Sequence, residues 1–221
     1  MLQVNRLQAV FFDLDGTLID TAPDMGGALN FLLRERGRTE LPQSQIRPHV
    51  SHGANALIKL GFGELGESEH ENLRREFLEY YSDHLAVESN VFDGFDEVLS
   101  HIESRKLLWG VITNKPGWLT DPLLQQLGLY DRCASVVSAD TCAKRKPHPM
   151  PMYHACEVAN VEAKNCVYIG DAERDMQAGK AAGMQTVGAL YGYIAESDDP
   201  PSWNADAFVN TPLELLPLLR G

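Results

Sequence analysis

The sequence predicts an α/β protein, a doubly wound parallel sheet with a helical domain inserted after its first strand. Three observations carry that expectation. Short apolar runs recur along the chain, each closing on a polar or glycine-bearing loop. Amphipathic segments at helical spacing alternate with those runs, the pattern of βαβ units. The stretch 20–90, by contrast, contains no convincing strand.

The first run, "LQAVFFD" (7–13), is apolar enough to be a strand buried on both faces. After it, Met25, Ala28, Leu29, Leu32 and Leu33 fall on one face of a helix. A weaker helix covers 44–60, and Leu73, Phe77, Tyr81 and Leu85 step by four along another, with Leu78 alongside. An insert of this size is too long for a βα loop. We therefore divide the chain into a core of residues 1–19 and 91–221 and an inserted helical cap, 20–90, with hinges near 18–22 and 86–93. Helix and strand then alternate: helix 94–105, strand 107–113, helix 117–127, strand 134–138, helix 150–160, strand 166–170, helix 173–182 and strand 185–190.

Composition narrows the function. A hydrophobic content of 44% with 23% charged residues suits a soluble globular chain of 221 residues. The net charge of −12 argues against nucleic acid and against an anionic membrane surface. No window approaches a membrane span, and "MLQVNRLQAV" lacks the apolar centre of a leader, so a reduced, cytoplasmic setting is expected. Cys133, Cys142, Cys156 and Cys166 form no C-x-x-C pair, which leaves buried thiols rather than a zinc or redox site. Monomer and homodimer are equally compatible with the sequence. Two motifs fail their context. "GFGELG" (61–66) follows a helix rather than a strand and reads as a turn between cap helices. "DLDGTLIDTAPD" has its glycine in the wrong place for a calcium loop. Thr21-x-x-Asp24 with Pro23 reads as a helix-capping arrangement.

In a doubly wound sheet the site lies outside the carboxyl ends of the strands. Those ends carry Asp13-Leu14-Asp15-Gly16-Thr17, then Thr113-Asn114-Lys115, then Lys144 and Lys146, then Asp171 and Asp175. Four carboxylates on one rim repel, each pair about 4 Å apart costing on the order of 4 kcal/mol at an effective dielectric near 20. A hard divalent cation relieves this, and oxygen ligation with open positions suits Mg²⁺ and a phosphate-bearing substrate. One carboxylate can then attack phosphorus while a second, two positions on, moves protons as general acid and base. Gly16 permits close approach of phosphoryl oxygens, Thr113 and Asn114 can donate to them, and Lys146 supplies a point charge. Lys144 reads as a solvated neighbour, Lys115 as facing either pocket or solvent, and Trp109 and Tyr168 as core. Tyr191 and Tyr193 follow a strand and could shield the site.

"DLDGT", "TN", "KP" and "GDxxxD", in this order, resemble the four motifs of the haloacid-dehalogenase (HAD) superfamily, over about 8–190. The resemblance implies a Rossmann-like core, Asp13 as nucleophile, Asp15 as acid/base, and Thr113 as phosphate binder. It further implies Lys146 as charge stabiliser and Asp171 as Mg²⁺ ligand, with Asp175 holding the metal's surroundings and the Asp15 main-chain oxygen as a further ligand. The acid at Asp15 is similar to the phosphatase and mutase branches. The insert resembles a type-1 cap. "TAPD", "LLWGVITNKP", "QQLGL", "KPHP" and "YGYI" resemble phosphoglycolate phosphatases, and "LLWGVITNKP" with "YGYIAESDDPPSWNADAFV" is similar to N-acetylmuramic acid 6-phosphate phosphatases. "RPHVSHGA" takes the place of the cap's substrate loop. His49, Ser51 and His52 stand in it as substrate contacts or as surface residues, and His52 departs from the small or amide side chain of the family's pattern. The implied activity is Mg²⁺-dependent hydrolysis of a small phosphorylated metabolite through an aspartyl-phosphate. The alternatives are a phosphomutase of the β-phosphoglucomutase kind and a catalytically silent phosphate-binding protein.

Overall fold

In the computed structural model, which describes residues 6–220, the apolar runs become a six-stranded sheet. Residues 1–5 and 221, the outer ends of the core as read from the sequence and the start of the stretch read for a leader, lie outside the described residues. The sheet strands are β1 (Ala9–Phe12), β4 (Leu108–Ile112), β5 (Val136–Val137), β6 (Cys166–Gly170), β7 (Gln185–Ala189) and β8 (Ala207–Val209). They run parallel in the spatial order β5-β4-β1-β6-β7-β8. The chain builds outward from β1 to one edge and then returns to build the other half. β1 is thus flanked by β4 and β6, and the crevice at its carboxyl end is the switch point where such sheets bind ligands.

Alternation along β1 explains the layers. Val10 and Phe12 face a core formed with α5 (Phe95–Ser104), α6 (Gly117–Gln126) and α9 (Leu215–Leu219). Ala9 and Phe11 face the other side, packed with α7 (Met150–Ala159) and α8 (Glu173–Ala181). A third apolar cluster joins α1 (Ala22–Glu35), α3 (Gly53–Phe62) and α4 (Glu67–Asp83), the inserted helices, and takes in Leu119 and Tyr193 from the sheet side. No helix among the described residues is long and apolar enough to cross a membrane.

Four readings need correction. The stretch expected to lack strands ends in a short ribbon, β2 (Ile19–Asp20) against β3 (Asn90–Val91), antiparallel, where the chain leaves and re-enters the sheet domain. Two-residue strands leave no periodicity to detect. The expected helix over 44–60 divides into α2 (Gln43–Ile46), a 3₁₀ turn (Arg47–His52) and α3. Pro48 lacks an N–H for a continuous helix, and Gly53 adopts φ +72°. Within the expected core of 91–221, the last expected element is the strand 185–190, but β8 and α9 follow it, β8 on an apolar run, "AFV", too short to register as a strand. Two of the four thiols, Cys156 and Cys166, are buried, whereas Cys133 and Cys142 are half-buried, because they sit in loops beside the sheet.

The capping arrangement at Thr21 and Asp24 is also different. Thr21 makes no side-chain cap; its hydroxyl donates to Asp15 Oδ1 at 2.6 Å. Asp24 instead accepts from the backbone N–H groups of Val87, Glu88 and Ser89 and from the Ser89 hydroxyl, at 2.6–3.1 Å. It ties the start of the first inserted helix to the returning chain. Asp24→Ala leaves those four donors without their acceptor, and we expect a loss of about 3 kcal/mol in a urea melt. A loss under about 1 kcal/mol would show that water takes over the donors.

Candidate active site

The register of the sheet brings the rim residues together. Phe12 lies opposite Val111 of β4 and Ile169 of β6, so the residues that follow these strands share one edge. Asp13, Asp171 and Asp175 each turn a carboxylate oxygen into a space where the three lie within 4.8 Å of one another, and all three are buried. Lys146 stands among them. Its ammonium contacts Asp13 Oδ1 at 2.9 Å and Asp175 Oδ1 at 2.7 Å, and donates to the Ile112 carbonyl at 2.9 Å and the Tyr168 hydroxyl at 2.7 Å. An ammonium has three protons, so these four acceptors saturate it.

Burial pushes the Asp13 carboxyl up to about 6, against the pull of Lys146, with Asp175 adding to the rise. Burial likewise raises Asp171 to about 7, helped by Asp13 and Asp175 and opposed by the Tyr193 N–H. Against three carboxylates stand the Lys146 ammonium and the weaker influence of the Arg174 guanidinium, which leaves this pocket short of positive charge. A trio of hard oxygen donors whose ionisation is penalised is the chemistry that a divalent cation relieves, so the residues present fit such a metal.

The other sequence-predicted residues fall around this centre. Asp15 is outside the carboxylate trio; its Oδ1 accepts from Thr21 and from the Lys115 ammonium, at 2.9 Å. Gly16 has φ +83°, and a side chain there would run into Asp171 and Tyr193, so only glycine fits the turn. Thr113 is buried beneath the cavity, its Oγ1 accepting from the Lys115 N–H at 3.0 Å. Asn114 is placed differently from the reading that aims its amide at phosphoryl oxygens. The amide donates to the Lys146 carbonyl and accepts from the Lys146 N–H, at 3.0 and 3.1 Å, because the adjoining loop offers it both groups. Asn114 thereby fixes the backbone that carries Lys146. His52 lies on the cavity lining, its pKa held below the usual value by burial and then by Arg174. Lys144 is exposed.

The sequence reading misses the Tyr81 hydroxyl and Arg174 and leaves the roles of Lys115, Ser51 and Tyr193 open. Lys115 is buried between Asp15 and the Tyr81 hydroxyl of α4, which it reaches at 2.9 Å. Burial alone would lower its pKa, but Asp15 and Tyr81 outweigh that and raise it. Tyr81 reads as one rung of an apolar helix face, and nothing in its spacing shows that its hydroxyl reaches the rim. Tyr168 belongs to the buried strand, as expected, yet its hydroxyl also supports Lys146. Ser51 donates to Asp171 Oδ2 at 2.8 Å, and Arg174 returns the contact by donating to the Ser51 carbonyl at 2.9 Å. Arg174 lies between two acids in "GDAERD", and that position at a helix start beside the rim is the signal that could have found it. Tyr193 donates its N–H to Asp171 and places its hydroxyl against the first turn of α1.

Above these groups opens a cavity of about 510 Å³ between the sheet edge and the inserted helices. It is lined by Asp13, Asp15, Thr113 and Lys146 below and by Ser51, His52 and Leu78 above. An arrangement of this kind can accept a phosphoryl group over Asp13 while the remainder of a ligand sits under the helices.

Comparison with known proteins agrees with this geometry. The chain is 45% identical over 208 residues to a phosphoglycolate phosphatase of Xanthomonas campestris pv. campestris, covering 94% of each chain. It is 43% identical over 211 residues to an N-acetylmuramic acid 6-phosphate phosphatase of Pseudomonas putida, covering 95% of each. A crystal structure of a predicted phosphoglycolate phosphatase from Haemophilus somnus superposes with a TM-score of 0.86 at 24% identity, covering 98% of this chain and 99% of that one, a likeness of fold. The family model described as haloacid dehalogenase-like hydrolase matches residues 10–189. With its rim motifs brought to one sheet edge and most of its length matched, the chain belongs to the haloacid dehalogenase-like hydrolases.

Proposed function

We propose that this protein hydrolyses a small phosphorylated metabolite, through an aspartyl-phosphate on Asp13 and with Mg²⁺ as its metal. The single observation that carries the reading is the buried trio Asp13, Asp171 and Asp175 around Lys146, at the floor of the cavity. In the first step Asp13 attacks phosphorus as the bond to the ester oxygen breaks, and Asp15 gives that oxygen its proton. In the second, Asp15 takes a proton from water, the water oxygen attacks phosphorus, and inorganic phosphate leaves with Asp13 restored. Lys146 keeps Asp13 oriented, and Thr113 offers its hydroxyl to the phosphoryl oxygens. Asp13, Asp171, Asp175 and the main-chain oxygen of Asp15 would hold the cation, which when bound offsets the charge of the phosphoryl oxygens.

Residues 20–90 act in this reading as a cap on a core of 1–19 and 91–221. The ribbon β2–β3 supports hinges at its two strands, and Ser51 and Tyr81 support contact of the cap with the rim. Closure would keep water out during transfer to Asp13. The cavity has room for either compound for which the relatives are named, phosphoglycolate or N-acetylmuramic acid 6-phosphate. The composition supports a cytoplasmic setting. Release of inorganic phosphate from both compounds, with and without EDTA, tests the function. Activity that survives chelation removes the metal from the mechanism.

The raised carboxyls add a pH-dependent expectation. Below about pH 4, where the unfolded chain's carboxyls are also protonated, Asp13 and Asp171 cost the fold nothing. As pH rises toward 7 the unfolded state releases these protons first, so the metal-free protein loses stability, by on the order of 7 kcal/mol across the window. A bound cation removes the penalty. The rise in melting temperature on adding Mg²⁺ should therefore be larger at pH 8 than at pH 5, and an equal rise at both would contradict it.

A further inference from the structure

The charge of the cavity runs against that of the chain. Its lining carries five cationic side chains, Arg74, Lys115, Arg145, Lys146 and Arg174, and only two carboxylates, Asp13 and Asp15, in a chain of net charge −12. Four of the five cations have partners. Lys146 is held by Asp13 and Asp175, Lys115 by Asp15 and Tyr81, Arg74 by Glu71 on its own helix, and Arg174 by the Ser51 carbonyl. Arg145 has none: among the described residues no hydrogen bond or ion pair engages its guanidinium, which stands exposed at the cavity one residue before Lys146.

A phosphoryl dianion does not need this group, since Lys146, Thr113 and the carboxylate-bound cation already provide for it under the reading above. What remains is a second anionic group on the substrate. A guanidinium presents a planar fork of N–H donors that matches a carboxylate in bidentate fashion. Phosphoglycolate and N-acetylmuramic acid 6-phosphate, the compounds for which the two relatives are named, share one feature besides the phosphate, a carboxylate.

We propose that Arg145 reads a carboxylate on the leaving-group side of the substrate and so sets a preference for phosphorylated acids over neutral phosphate esters. The inference rests on the phosphatase reading, and the test separates the two. N-acetylmuramic acid 6-phosphate and N-acetylglucosamine 6-phosphate differ by the acidic side arm alone, which makes them a matched pair for the full-length protein with Mg²⁺. The wild type should favour the acid. Arg145→Gln should raise KM for the acid on the order of 10- to 100-fold, the loss of one charge-assisted contact, with kcat little changed. The same variant should leave KM for the neutral sugar phosphate near its wild-type value, and Arg145→Lys should recover part of the loss. Equal loss on both compounds, loss on neither, or a wild type indifferent to the acid would overturn the proposal. A wild type that hydrolyses neither these nor phosphoglycolate nor an aryl phosphate would overturn the function itself, and the inference with it.

Discussion

Asp13→Asn should abolish turnover and yet make the metal-free protein more stable at neutral pH. The first effect follows from the proposed role: an amide does not form the aspartyl-phosphate, and loss of a nucleophile costs on the order of 10⁴-fold or more in kcat. The second follows from electrostatics. Asp13 is buried, its carboxyl is raised to about 6, and its ionisation at pH 8 is opposed by burial and by Asp175. Asparagine keeps the shape and an oxygen that can still accept from the Leu14 N–H, now at 2.7 Å from Asp13 Oδ1. The gain should be about 2 kcal/mol at pH 8 and should shrink at pH 5, where the aspartate is already protonated. Paired melts in EDTA decide it. A variant less stable than wild type at pH 8 would mean that the ion pair with Lys146 outweighs the cost of burial.

Lys146→Met works in the opposite direction and should be the most damaging single change at the site. It leaves Asp13 and Asp175 buried without their counter-charge, at 4% and 0% exposure, and removes the donor to Ile112 and Tyr168. Breaking a buried pair from one side costs about 3–5 kcal/mol, on the order of 10 °C in a domain of this size. The loss should be larger at pH 8 than at pH 5, because protonation of Asp13, whose carboxyl is raised to about 6, relieves part of the uncompensated charge. Activity should fall with it even where the protein is folded. A loss independent of pH would assign the effect to packing alone.

Much of the fold was legible because its core strands are short, apolar and separated by helices of ordinary length. "CVYIG" coincides with β6 from end to end, and the helices expected over 94–105 and 150–160 lie within a residue of α5 and α7. The elements that escaped are those without a period: the two short strands of the β2–β3 ribbon, the three residues of β8, and a helix broken by Pro48 and Gly53. At the site, acids and the lysine at strand ends could be read from the rule that such ends form one rim. Residues that meet the rim from the inserted helices could not. Ser51 lies 120 positions from Asp171, and Tyr81 lies 34 from Lys115. Neither spacing nor residue type links them, since the pairing depends on how one helical layer sits on another.

The sequence by itself determined which groups meet at the sheet edge, because strand order and parallel register carry the residue after each strand to the same side. It also determined that so many carboxylates needed positive charge beside them. Only the tertiary structure decided how that charge is shared. It assigns Lys146 to Asp13 and Asp175, Lys115 to Asp15, the Asn114 amide to the backbone of Lys146, and leaves Arg145 open to the cavity. Hydrogen bonds and ion pairs act over a few ångströms, so such assignments are set by side-chain placement in three dimensions, which no periodicity along the chain encodes.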